Sequence, residues 1–192
     1  MAETETLATL PGVIEVELTD MANGGDAVGR YQNRAVFVKG GIAGEVVQAQ
    51  VVEQRRDYLR ATVTEVLRPS PDRIPILYPD LVDTGGLQWQ HIAYPAQLEW
   101  KMRIVRSLLQ RVGRFQRPPV QMTLGTPPEA NYWQQRTVAQ FAVDGAGSIG
   151  FRRTASHDVL DMPSCPIVHP TLDAIYRDVR HWMQERWGDE VG

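Results

Sequence analysis

From Pro11 the chain alternates apolar and polar residues with the two-residue period of strands that bury one face. Ile14, Val16 and Leu18 are interleaved with Glu15 and Glu17, and Ala35–Val38 is a short apolar run. Residues 45–52 form a third segment, and Tyr58–Leu67 alternates over a longer stretch. Turn-forming residues separate these segments: Asn23-Gly-Gly-Asp26, Gln32-Asn33, Gly40-Gly41 and Gly44. Four or five strands in fewer than sixty residues, with no helical stretch between them, predict a small closed barrel.

Pro69, Pro71 and Pro75 end this pattern, and the period changes at Pro95. Leu98, Met102, Val105, Leu109 and Val112 recur at helical spacing, with Ile104 and Leu108 widening the stripe. A helix is therefore expected from Pro95 to Val112, with Gly113 as its C-cap and Lys101, Arg106 and Gln110 on its outer face. Prolines 118, 119, 127 and 128 mark a loop, and residues 137–143 and 149–153 read as a hairpin. After His169-Pro170 a last helix carries Leu172, Ile175, Val179, Trp182 and Met183. The expected organisation is a flexible tail over 1–10, a barrel over 11–68, a linker over 69–94, and a helix, hairpin and C-terminal helix over 95–192. The fold class is mixed β and α+β, with a barrel similar to the oligonucleotide-binding (OB) type.

With 192 residues, 43% hydrophobic and 22% charged, the composition is that of a globular protein. No apolar stretch approaches the ~18–20 residues that span a bilayer, so no membrane partner is expected. The acidic N-terminus lacks the basic and apolar regions of a signal peptide, which points to the cytoplasm. Cys165 is the sole cysteine.

The net charge of −3 hides an uneven distribution. Residues 101–153 carry nine basic side chains against two acidic ones, a local balance of +7, and arginine outnumbers lysine 18 to 2 across the chain. Guanidinium groups bind phosphate bidentately and stack on bases, which suits nucleic acid. A genome whose codons favour arginine everywhere explains the same excess, and both readings stand.

Within the barrel, Arg30, Lys39, Arg55, Arg56 and Tyr58 fall in or beside predicted loops, where cations meet phosphates and a ring stacks on a base. The barrel's own balance, seven basic against eight acidic residues over 11–68, leaves an ordinary solvated surface open as well. Arg136, Arg152 and Arg153 are the stronger RNA-contact candidates, and Trp133 is a candidate for base stacking. Gly145-Ala-Gly-Ser-Ile-Gly150 has the spacing of a dinucleotide-binding loop, but a strand follows it where that loop requires a helix. It is expected to be a hairpin turn. Ser156-His157-Asp158 are neighbours, whereas a catalytic triad converges from separate segments. The four histidines show no metal-ligand spacing.

Several segments in order resemble one family. Gly29-Arg30, Ala35–Gly40 and Gly44-Glu45 are similar to the glycine-punctuated strands of a TRAM domain. Leu87–His91 with Tyr94–Lys101, then Gly150–Arg153, Ser156–Asp158 and Cys165–Pro170, resemble the segments that follow it in the RNA uracil-C5 methyltransferases. These are S-adenosylmethionine-dependent enzymes that make 5-methyluridine in ribosomal and transfer RNA. The likeness runs from about residue 12 to 175 and implies a TRAM barrel followed by a partial α+β central domain.

The departures carry information too. Many family members hold an iron–sulfur cluster on cysteines, but here the first three ligand positions are Tyr78, Thr84 and Leu87, and only Cys165 remains. One thiolate cannot hold a cluster that needs about four, so no cluster is expected. The family's Tyr-Arg-Asn-Lys run is Gln135-Arg136-Thr137-Val138, keeping the arginine alone. The family's cofactor-binding and catalytic domain has no counterpart in the 192 residues, and Cys165 matches a cluster ligand rather than the nucleophile. The expectation is an RNA-binding, substrate-recognition portion that binds no cofactor itself and does not methylate alone. Two alternatives stay open: a subunit completed by a separate catalytic chain, and a protein-interaction module.

Overall fold

The computed structural model describes residues 12–85, 87–127, 133–154 and 156–190, residues 187–190 through their backbone alone. The tail expected over 1–10 lies outside the described residues.

The alternating segments become strands β1 (Val13–Met21), β2 (Ala27–Tyr31), β3 (Arg34–Lys39), β4 (Val46–Gln54) and β5 (Tyr58–Arg68). They close a barrel in the order β1-β2-β3-β5-β4, all antiparallel except the β3–β5 pair. β1 can serve both ends of the sheet because its register breaks between Leu18 and Asp20. Before the break it pairs with β4, and from Leu18 onward with β2. An irregularity of this kind bends a strand and increases its twist, which closure requires. The inward residues, among them Ile14, Val16, Leu18, Val36, Val38, Val47 and Leu59, make one buried apolar core. Gln32 and Asn33 form the two-residue β2–β3 turn with φ of 48° and 66°, the left-handed pair that matches the twist of a tight hairpin.

The segment after β5 is anchored rather than free. Glu45, fully buried, accepts hydrogen bonds from Ile42 N at 2.9 Å, Ser70 N at 3.1 Å, and Arg73 Nε and Nη2 at 2.6 and 2.7 Å. Burial pushes this carboxyl's pKa up, but the Arg73 and backbone hydrogen bonds outweigh it and hold the group below its ordinary value. Arg73 Nη2 also donates to Gly40 O at 2.8 Å. Trp89 Nε1 donates to Gly25 O at 2.8 Å, pinning the β1–β2 loop. Gly25 is required there on two counts: its φ is +98°, and a Cβ would stand 2.7 Å from the indole nitrogen.

Helix α1 (Tyr94–Arg111) begins within a residue of its expected start, with Pro95 in the first turn. It packs on the barrel core through Ala96, Trp100 and Ile104. The structure thus groups it with the barrel, in a compact unit that ends at Leu77 and resumes over Trp89–Thr123. The expected division put residues 95–192 together. The apolar stripe also differs from expectation: Val105 and Val112 are exposed, because the buried face is centred on Trp100. Arg106 is not on an open basic face but donates to Val120 O at 3.0 Å. The left-handed residue after the helix is Arg114, φ 57°, rather than Gly113.

The second unit comprises residues 78–88 and the chain from Leu124 onward. A short 3-10 turn, Pro79–Leu81, is followed by β6 (Ala142–Val143), β7 (Ile149–Arg152) and β8 (Val159–Asp161), an antiparallel sheet in that order. The glycine-rich motif is the β6–β7 turn: Asp144 Oδ1 accepts from Ala146 N and Ser148 N, both at 2.9 Å, and Gly147 has φ +81°. Helix α2 (Pro170–Glu190) buries Tyr176 and Met183 against the sheet side of the unit. The Tyr176 hydroxyl lies 2.7 Å from Ile149 O and 2.8 Å from Met162 O, and burial pushes its pKa up to about 12. Arg180 grips the Asp161 carboxylate with Nε and Nη2, tying α2 to β8. Ile175, Val179 and Trp182 stay exposed, and with Val138 the first two border an apolar groove of about 330 Å³.

Candidate nucleic-acid interface

On the barrel, strand alternation decides which side chains can meet a ligand. Val36, Val38, Leu59 and Ala61 point inward, so Ala35, Phe37 and Lys39 on β3 and Tyr58, Arg60 and Thr62 on β5 point outward. On β2 the outward residues are Val28 and Arg30. Register then places Arg30, Ala35 and Tyr58 in one row across the sheet, and Val28, Phe37, Arg60 and Glu53 in the next. The β4–β5 loop, with Arg55 and Arg56, leads directly into Tyr58. In OB-type barrels the outer side of strands 2 and 3, with the loops after strands 1 and 4, is the surface that takes oligonucleotides.

All five barrel residues singled out in the sequence therefore lie on this face or its adjoining loop. Among the described residues Arg56, which is exposed, forms no ion pair, and Arg30 reaches the Asn33 carbonyl at 3.4 Å. Arg55 is exposed but paired with Glu53 at 2.6 Å, and that hydrogen bond raises its pKa further. An exposed pair of this kind is weak and can exchange its carboxylate for a phosphate. Two residues were not anticipated, Phe37 and Arg60. Phe37 meets Tyr58 edge-on, ring centroids 5.7 Å apart, and the Arg60 guanidinium lies 5.7 and 5.8 Å from the two ring centres. Phe37 could have been found from the alternation alone, since it stands between two inward valines. Arg60 is held by Asp26 at 3.1 Å and Glu53 at 3.5 Å.

In the second unit Arg136, Arg152 and Arg153 are exposed, and among the described residues none forms an ion pair. Arg152 Nη1 lies 3.3 Å from His157 Nδ1. Arg153 bridges to Thr84 through the backbone, and Arg136 pairs with the 167–169 segment. Arg152 and Arg153 are consecutive in the chain at the end of β7, while Arg136 sits on a separate segment. Asp158 N donates to Ser156 Oγ at 3.0 Å, a local turn contact rather than a relay.

The three cluster-ligand positions do not supply a cluster's donors. Tyr78 packs edge-on to Trp133 with centroids 5.1 Å apart, Thr84 Oγ1 donates to Leu81 O, and Leu87 joins the apolar core of the unit. Cys165, 1% exposed, belongs to the same core, and burial pushes its thiol pKa up. With one thiol and no other soft donor at these positions, an iron–sulfur cluster does not fit. Among the described residues no three His, Cys, Asp or Glu are grouped to hold a metal.

The family model for the TRAM domain matches residues 12–64, which span β1–β4 and the first half of β5. These residues are a TRAM domain. Over 91% of its length the chain is 33% identical to an uncharacterised RNA methyltransferase of Nostoc sp., and over 87% it is 34% identical to one of Nitratidesulfovibrio vulgaris. It spans 38% and 36% of those relatives, so a little over a third of each is represented. The fold is similar to that of the Pyrococcus abyssi tRNA (uracil-54, C5)-methyltransferase, solved with S-adenosyl-L-homocysteine. The TM-score is 0.55 at 21% identity, over 90% of this chain and 37% of that one. The family resemblance carried by the motifs agrees with these matches.

Proposed function

We propose that this chain is the RNA-recognising portion of an S-adenosylmethionine-dependent RNA (uracil-C5-) methyltransferase. The observation that carries the reading is the TRAM domain's outer β2–β3–β5 face, where cations and aromatic rings occupy the position used for oligonucleotides in barrels of this topology. The cations of this face, with Arg136, Arg152 and Arg153 of the second unit, hold the phosphodiester backbone of ribosomal or transfer RNA in the cytoplasm. The methyl group is transferred by a catalytic region outside the 192 residues, since attack on C6 of uracil needs an accessible thiolate. The sole cysteine is buried and its pKa raised.

The test is RNA affinity as a function of salt. Binding is expected to weaken steeply as salt rises, because counterions released from the phosphates drive association. The Arg152→Ala/Arg153→Ala double variant should lower affinity and flatten the logarithmic salt slope by about one to two. An affinity unchanged between low and moderate salt contradicts the proposal.

The second reading, a subunit that completes a methyltransferase with a separate catalytic chain, draws on the apolar groove beside Val138, which is 81% exposed. A pull-down that recovers no methyltransferase chain counts against it.

A further inference from the structure

We infer that Phe37, Tyr58 and Arg60 form a stacking site for an unpaired RNA base on the outer face of the TRAM domain. This rests on the RNA-binding reading and adds to it what part of the RNA is read.

Three observations lead there. First, neither ring belongs to the barrel core, although aromatic side chains in a small barrel are the largest apolar groups available to fill it. The pattern of β3 and β5 turns both outward, onto neighbouring strands, where they meet at 5.7 Å. Second, the guanidinium of Arg60 lies within 6 Å of both rings, close enough for a cation–π contact with each. Third, among the described residues two carboxylates, Asp26 and Glu53, flank Arg60, whereas Arg55 has Glu53 alone. A phosphate approaching Arg60 would meet those two carboxylates, whereas a neutral base would not. The uncompensated cations, Arg30 and Arg56, lie in the next row and the adjoining loop, one step from Tyr58. A planar, uncharged group beside the rings and a phosphate on the flanking arginines is the arrangement of a nucleotide bound from a single strand.

A base stacked within a helix offers no free face to these rings, so the site discriminates for unpaired RNA. Stacking is tolerant of base identity, and no particular base is preferred by the rings themselves.

The experiment compares an oligouridylate with a fully paired RNA duplex of equal phosphate number, using the full chain. Phe37→Leu and Tyr58→Leu should each lower single-strand affinity about tenfold while leaving duplex affinity and the salt slope unchanged. Phe37→Trp, which keeps a ring and guards against loss of fold, should retain single-strand binding. A single strand carrying 2-aminopurine should show fluorescence quenching with the wild type that both leucine variants abolish. Equal losses on single strand and duplex, or no loss on either, overturn the inference while leaving RNA binding intact. A wild-type chain that binds neither RNA overturns the RNA-binding reading and this inference with it.

Discussion

Glu45→Ala is expected to destabilise the barrel unit by about 3–5 kcal/mol, because it leaves a charge buried without its partner. The Arg73 side chain is only 20% exposed and gives two of its donors to that carboxylate. The backbone N–H groups of Ile42 and Ser70 would lose their acceptor at the same time. Urea unfolding followed by tryptophan fluorescence measures the effect, and a loss below about 1 kcal/mol would show that water replaces the carboxylate. The same group sets a pH dependence whose sign is fixed. Its folded pKa lies below the ordinary value of 4.5, so its contribution is fully present above that value and is lost as pH falls through the lowered folded value. The wild type should lose stability in that acid range, and Glu45→Ala should lose less of it.

Gly150→Ala is the second large effect, at about 3 kcal/mol or more. A Cβ at that position would stand 1.8 Å from the carbonyl oxygen of Leu160 and 2.9 Å from its carbon, both backbone atoms of the paired strand β8. Relief requires β7 and β8 to separate. Gly145→Ala is the matched control, since a Cβ there meets nothing within 4 Å. The contrast bears on the motif as well as on stability. A phosphate-binding loop would resist change at its first glycine, whereas this hairpin turn resists where the paired strand presses close, at Gly150, and where φ is positive, at Gly147. Thermal unfolding of the two variants distinguishes these cases, and equal damage from both would contradict the turn reading.

These sites show what the sequence makes legible. The barrel's inward residues follow from alternation, so β1, β3, β4 and β5 are visible in it. β2 is not, because Gly29 and Arg30 break its pattern and its identity comes from pairing with β1 and β3. The hairpin turn at 144–148 is legible because Asp and Gly there have local geometric roles, while β8 is three residues long and rests on tertiary pairing. The membership of α1 in the barrel unit is hidden for a physical reason. Helical spacing shows a stripe but not which neighbour covers it, and Trp100 outweighs the aliphatic residues beside it.

In the candidate site, cation positions were readable and their partners were not. Arg55 meets Glu53 locally, two residues away, but Arg60 reaches the same carboxylate through the β4–β5 register, which shifts between Val51 and Glu53 and cannot be counted from residue spacing. The replacement of cluster ligands was readable residue by residue. That Leu87 and Cys165 close up into one apolar core is a matter of packing.

The outer face of β2, β3 and β5 is expected to meet RNA. Backbone amide shifts of the isotope-labelled chain, followed by heteronuclear NMR during titration with single-stranded RNA, test it residue by residue. The amides of Val28, Arg30, Phe37, Arg56, Tyr58 and Arg60 should move together and saturate, while inward and α1 amides stay in place. Shifts confined to other surfaces, or a spectrum unmoved by excess RNA at low salt, would contradict it.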